Sequence, residues 1–513
     1  MPALAWQRLG DYLRETQLMG SIHSTLYWDQ NTRMPRLGAS WRGEQLTLLA
    51  RLLHSRQSSF EFETLLFDAE QELEASSLEG DFASEEIDDR RINLELLRKD
   101  IKRQKSLDPD LISALAKAKA KGYQLWQEAK AKNDFKLFEP ALSNLIFLRQ
   151  EQSRQLGESR SCWETLAQPF EPDISCSRIQ ELFGPLRRLL PELLDKVRAL
   201  DRKKKKRWDL DESLQEKLCI QLLNQWGRDE NVTALSRSPH PFSTTLGPKD
   251  FRITTRIVPG QPLSSFLATA HEWGHSLYEQ GLNYQSHQWF SWPLGQATSM
   301  AVHESQSLFW ENRVARSRAF CDRFWQNFAN AGAPFDSGED LWNEMNPLTP
   351  GLNRVEADEL SYGLHILIRT DLEIDLLEKG LPVSELPMEW NSRYEELLGV
   401  RPNTDSEGCL QDVHWSEGLF GYFPSYLIGH LISAQLSEAM AKSIGPIGLD
   451  PISENIRSGN EALLLSWLRK EVHPHGRKMN AETLVRNISG SSLSPEPFIR
   501  YLKDKLEMVS NAS

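Results

Sequence analysis

Apolar positions in the first 230 residues recur at helical rather than alternating spacing. Between Glu85 and Leu107, Ile87, Ile92, Leu94, Leu96, Leu97 and Ile101 lie among Arg, Lys, Glu and Asp. That predicts a long surface helix with one buried stripe, imperfect in phase. Leu142, Leu145, Ile146 and Leu148 continue the pattern. Leu182, Phe183, Leu186, Leu189, Leu190, Leu193, Leu194 and Val197 form a stronger apolar face, in which Pro191 predicts a kink or a new helix start. The character changes near Ser236. SPHPFSTTLGPKD is too rich in Pro, Gly and Thr for a regular helix. Phe251, Ile253, Thr255 and Ile257 then alternate with Arg252, Thr254 and Arg256, predicting a strand over 251–258 whose Arg/Thr face meets ligand or solvent. Helical patterning resumes near Leu263 and runs to the C-terminus, with breaks at 281–295, 346–353, 402–408 and 418–421. The chain is expected to be mainly α with a small sheet beside a cleft. An N-terminal helical half (1–230) and a second half (231–513) are expected to form one body.

Composition narrows the class. With 513 residues and a 40% hydrophobic content, the chain is long and apolar enough to bury a deep core without disulfides. A net charge of -13 argues against a protein that wraps nucleic acid over a broad face, where affinity depends on neutralising phosphates. The one basic block, Arg202 to Arg207, is expected to be a solvated turn. The N-terminal residues lack a basic stretch leading into an apolar run, and no segment approaches eighteen uninterrupted apolar residues, so neither a signal peptide nor a membrane span is expected. Five scattered cysteines without a CxxC pair fit a reducing compartment, with the cytoplasm as the expected location.

The sharpest chemical signal is HEWGH, His271 to His275. A helix turns about 100° per residue, so His271 and His275 share one face a turn apart and can address one zinc ion, with Glu272 beside them as a base. A catalytic zinc site needs a third protein ligand and an open position. Glu304, 29 residues after His275, is the leading candidate, at the distance a helix–loop–helix excursion needs. The adjacent His303 points about 100° away around its helix and could orient a ligand or substrate. Glu311, two turns beyond Glu304, reads as a surface carboxylate.

These residues sit among further motifs: HPF at His240 to Phe242, DFRITTR from Asp250, HESQSLFWEN from His303, RVEADELSYGLHILIR from Arg354, and GCLQDVHWSEGLFGYFPSY from Gly408. With LYWDQNTRMP near the N-terminus and HPHGRKMNAETLVRNISG near the C-terminus, the chain resembles the M32 metallocarboxypeptidases over nearly its whole length. The resemblance implies zinc on His271, His275 and Glu304, with Glu272 as general base and acid, and cobalt as an alternative metal. It also implies a large helical peptidase fold with a deep groove, neurolysin-like in layout, and a homodimer that releases C-terminal residues from peptides with a free C-terminus. No nucleic-acid or membrane partner is expected.

An exopeptidase must also recognise a terminal carboxylate, which an arginine fork suits. Arg354 is the leading candidate, followed by Arg252 and Arg256. Asp412 and His414 are candidates for a substrate-binding or ligand-orienting network, Tyr422 for the donor to an oxyanion, and His240 for a wall of the cleft. His473 and His475 read as a helix-start or interface feature. The alternatives are a zinc oligoendopeptidase of the same motif class and a non-enzymatic scaffold that retains its metal.

Overall fold

The computed structural model describes residues 4–79, 84–199, 208–282, 289–446 and 450–512; the basic block at 202–207 lies outside them. Helices dominate the described residues, which hold one three-stranded sheet. Three N-terminal helices, Ala5–Thr32, Phe60–Glu79 and Ser84–Lys105, share a small core of Leu9, Tyr12, Phe62, Leu66, Leu94, Leu97 and Ile101, joined by Trp292, while a fourth, Ala39–Gln57, packs on the first. Leu94, Leu97 and Ile101 are the buried stripe expected of helix Ser84–Lys105. Helix Ala39–Gln57 buries no residue. A much larger core runs from Ala129 to Val509 and so draws on both halves of the chain.

Helix Cys176–Arg198 removes one of the two outcomes expected at Pro191. It is one helix containing both Pro185 and Pro191, so Pro191 starts no new element. Ser175 caps its N-terminus, and eight buried residues from Ile179 to Val197 fix it against the large core. Burial of that face outweighs the hydrogen bond lost at the proline.

Strands β1 (Thr233–Arg237), β2 (Ser243–Gly247) and β3 (Asp250–Thr255) form the sheet in the order β1-β3-β2, with β1 parallel and β2 antiparallel to the central β3. The expected strand over 251–258 therefore ends at Thr255, leaving Arg256 exposed beyond it. Its polar face is also not open throughout. Thr254 is fully buried because the Ser238–Phe242 turn folds over it, with the Ser238 hydroxyl donating to Thr254 Oγ1 at 2.6 Å and Phe242 N–H at 2.9 Å.

Helix Pro262–Leu282 lies on this sheet, tied by the Thr255 hydroxyl donating to the Ser265 carbonyl at 2.8 Å. It crosses helix Met300–Leu308, which in turn packs along helix Pro424–Ile444. No helix of the described residues is long and apolar enough to cross a membrane.

Candidate metal centre

Two glycines let the three helices approach closely enough to build a site. A Cβ at Gly274 would stand 2.6 Å from Ser307 Cα and 2.7 Å from the Gln306 carbonyl. A Cβ at Gly429 would stand 2.8 Å from Glu304 Cγ. The glycine inside HEWGH is therefore what allows the crossing helix to bring Glu304 up to the histidines. Ser299 starts that helix by accepting the Val302 N–H, and Glu171 accepts the Ala301 N–H at 2.6 Å.

At the crossing, donor atoms of His271, His275 and Glu304 all lie within 4.8 Å of one another. Glu304 Oε2 is 3.7 Å from His271 Nε2 and 3.4 Å from His275 Nε2. Ligand atoms about 2.0–2.1 Å from a tetrahedral ion are separated by about 3.3 Å, so this set is sized for one zinc with a fourth corner open.

The outer nitrogens are occupied. His271 Nδ1 is 3.0 Å from Glu311 Oε2, and Glu311 Oε1 accepts from Arg316 Nη2 at 2.8 Å. His275 Nδ1 is 2.5 Å from His303 Nδ1, and His303 Nε2 is 2.9 Å from Glu279, whose other oxygen accepts from the Thr245 hydroxyl on β2. Such contacts fix ring orientation and leave each Nε2 lone pair for a metal. Glu311 is thus not a surface carboxylate. The helix widens into a π-turn over Phe309–Ala315, which keeps Glu311 under the site.

Electrostatics favour a cation here. Burial pushes the His275 ring down to about 4, aided by the neighbouring imidazoles, so it is neutral at pH 7 as a ligand must be. Burial also disfavours charge on His271, but Glu304 and Glu311 outweigh it and raise that ring. The two glutamates are held below the carboxylate range despite burial, Glu304 by the histidines and Glu311 first by Arg316. Burial lifts the Glu272 carboxyl to about 7.

A second cluster surrounds Arg354, which is 9% exposed. Its Nε donates to Asp412 Oδ1 at 2.8 Å and its Nη1 to Tyr362 OH at 3.3 Å. Arg369, fully buried, takes the other Asp412 oxygen at 2.6 Å. Two guanidiniums on one carboxylate leave one positive charge in excess. His414 Nε2 meets Tyr426 OH at 3.4 Å, and the rings of Tyr422 and Tyr426 are 5.3 Å apart. Burial raises the phenols of Tyr362, Tyr422 and Tyr426, and each of the three feels the charges of both Glu304 and Arg354.

Other candidates lie apart. Arg252 is held by both Asp250 oxygens at 2.8 and 2.9 Å and sits over the Trp28 ring at 4.5 Å. His240 and Arg256 are exposed. His473 is fully buried against the motif helix, where a Cβ at Gly281 would collide with its ring, and its Nε2 is 3.1 Å from Gln306 Oε1. The residues that sequence reasoning missed are Arg369, Glu279, Tyr362 and Tyr426; each lies in or near a motif, but no spacing rule marks its partner.

A helical body that aims two imidazoles and a carboxylate at one point has the ligand set of a metallohydrolase. Residues 8–506 match the family model described as carboxypeptidase Taq (M32) metallopeptidase. The chain is 34% identical to thermostable carboxypeptidase 1 of Thermus thermophilus over 98% of each sequence, and 30% identical to carboxypeptidase 1 of Bacillus subtilis over 96% of each. It superposes on the M32 carboxypeptidase of Deinococcus radiodurans R1 with a TM-score of 0.91 at 30% identity, covering 99% of this chain and 100% of the other. The chain belongs to the M32 metallocarboxypeptidase family. It is a zinc-dependent enzyme of that family, acting on peptides with a free C-terminus.

Proposed function

We propose that His271, His275 and Glu304 hold the zinc and that Glu272 is the general base and acid in removal of single C-terminal residues with broad preference. The observation that carries this reading is the 3.4 and 3.7 Å spacing of Glu304 from the two Nε2 atoms, with both Nδ1 atoms already engaged. Held by these three residues, zinc would activate a water and polarise the scissile carbonyl. Glu272 accepts the water proton and returns it to the leaving amine, and a carboxyl lifted to about 7 suits both directions near neutral pH. Tyr422 donates its phenolic proton to the oxyanion. Arg354, backed by Asp412 and Arg369, receives the terminal carboxylate through the excess positive charge of that cluster. His414 orients this end, while His240, Arg252 and Arg256 contact the peptide further along a groove of neurolysin-like layout beside the motif helix.

Cobalt, which shares the nitrogen and oxygen ligand preference, substitutes for zinc. The two halves, 1–230 and 231–513, work as one peptidase body, which the shared large core supports. A homodimer in the cytoplasm is the expected state; the five free thiols fit a reducing compartment, and sedimentation of the purified chain tests the dimer. The decisive experiment compares one peptide with a free and an amidated C-terminus. Release of a single amino acid from the free form only is expected. Equal cleavage of both would establish the oligoendopeptidase alternative.

A further inference from the structure

Helix Glu359–Glu378 carries three fully buried polar side chains four residues apart, His365, Arg369 and Glu373. That spacing stacks them along one stripe of the helix. His365 Nδ1 meets Tyr394 OH at 2.9 Å, and Arg369 grips Asp412 and Gln411. Glu373 has no arginine or lysine partner among the described residues. Its carboxylate is instead filled by N–H donors: Trp415 Nε1 on Oε1 at 2.9 Å, and Gly421 N at 2.9 Å with Trp163 Nε1 at 3.2 Å on Oε2.

Two of those donors belong to the segment that carries the substrate-side residues. Between Asp412 and Tyr422 the chain makes a short 3-10 turn, His414–Glu417, and then passes through two left-handed glycines, Gly418 (φ 67) and Gly421 (φ 80). A Cβ at Gly421 would fall 2.7 Å from Ala167 Cα, so the loop runs hard against its neighbour. A glycine-jointed loop has little intrinsic shape. Its shape must come from the groups it binds, and Glu373 binds it on both sides of the bend, at the residue after His414 and the residue before Tyr422.

We propose that Glu373 is a positioning residue for catalysis, holding the Trp415 indole and the Gly421 amide so that His414 and Tyr422 face the metal centre and the Arg354 cluster. The idea rests on the roles given above to Tyr422 and Arg354. Only a carboxylate offers acceptors to all three donors. The isosteric glutamine has one acceptor oxygen and an NH₂ that must confront at least one N–H, so one anchor of the loop is lost.

The test uses the full-length zinc enzyme, four single variants and one double variant, with kcat and KM measured on a free-C-terminal peptide and zinc affinity by chelator competition. Glu373→Gln is expected to lose about 10²-fold in kcat/KM, mainly in kcat, because a displacement near 1 Å costs that much. Its zinc affinity should stay within about twofold, since the three proposed ligands sit on other helices. Trp163→Phe removes the donor outside the loop and should keep near wild-type kcat/KM. Trp415→Phe removes one loop anchor and should lose about tenfold, which covers the case of a poorly folding glutamine variant. Combining Glu373→Gln with Tyr422→Phe should cost less than the product of the two single losses, because both act on one phenol. Wild-type kcat/KM in Glu373→Gln, or in Trp415→Phe if that glutamine variant does not fold, would overturn the proposal. So would equal losses in Trp163→Phe and Glu373→Gln, which would mark core packing instead. A fully active Tyr422→Phe would remove the oxyanion-donor reading of Tyr422 whatever the Glu373 variants do.

Discussion

Replacing Gly274 by alanine sets two effects of opposite sign against each other. In a helix interior alanine is favoured over glycine by about 1 kcal/mol, so local propensity predicts stabilisation. The new methyl would nevertheless sit 2.6 Å from Ser307 Cα and 2.7 Å from the Gln306 carbonyl. Both are backbone atoms of the crossing helix Met300–Leu308, so no rotamer change relieves them. Restoring ordinary contact requires the helices to part by about 1 Å. Overpacking of this kind costs about 1–3 kcal/mol, leaving a net loss of about 0–2 kcal/mol in stability. The functional effect is larger because Glu304 rides on the displaced helix. Its carboxylate, 3.4 and 3.7 Å from the two ring nitrogens, would move out of range for one ion, and a shift of about 1 Å is expected to reduce kcat/KM by about 10²-fold. Chelator competition should show weaker zinc binding in the same variant. Thermal unfolding and zinc titration of Gly274→Ala beside wild type read both quantities. Wild-type zinc affinity with unchanged kcat/KM would refute the claim that this glycine sets the helix separation and, through it, the ligand geometry.

Four further outcomes follow from the site. Glu311→Gln should weaken zinc binding about 10- to 100-fold, measured by chelator competition, because the acceptor on His271 Nδ1 loses its charge and its pairing with Arg316. Glu272→Gln should retain zinc by elemental analysis while kcat falls by about 10²–10⁴-fold; full activity would remove Glu272 from its role. His303→Ala breaks the link from His275 to Glu279, and isothermal titration should show weaker zinc binding there too. Glu171 supplies a pH test. Burial lifts its carboxyl from 4.5 to about 7, so the folded chain holds a proton that the unfolded chain releases, and its contribution to stability falls as pH rises between those values. Glu171→Gln removes that dependence. Its melting temperature relative to wild type should rise from pH 5 to pH 8, by the equivalent of up to about 3 kcal/mol; a constant difference would show that this carboxyl does not titrate there.

Much of this arrangement is written in local sequence. HEWGH places two rings on one helical face by spacing alone, and the strand after Asp250 shows in its β-branched alternation. Glu311 escaped because its importance depends on a π-turn at Phe309–Ala315 that changes which side of the helix it occupies. Of the two outcomes expected at Pro191, a new helix start did not occur, for the converse reason: a local rule against helix continuity yielded to the burial of a whole face. The Arg354 cluster was legible only in part. Its arginine and Asp412 lie 58 residues apart and Arg369 answers to the same carboxylate, a pairing set by tertiary packing.

Three of the N-terminal helices keep their own small core, and the fourth, Ala39–Gln57, contributes nothing buried to either core. Among the described residues, Trp292 is the one buried member of that small core drawn from the later chain, stacked on Trp6 with ring centroids 4.1 Å apart, and the half-buried Trp289 packs beside it. Such an arrangement lets these four helices loosen at a free-energy cost well below global unfolding. Amide protons there should exchange sooner than those of Pro262–Leu282, and a protease should trim this outer layer while the zinc helices stay folded.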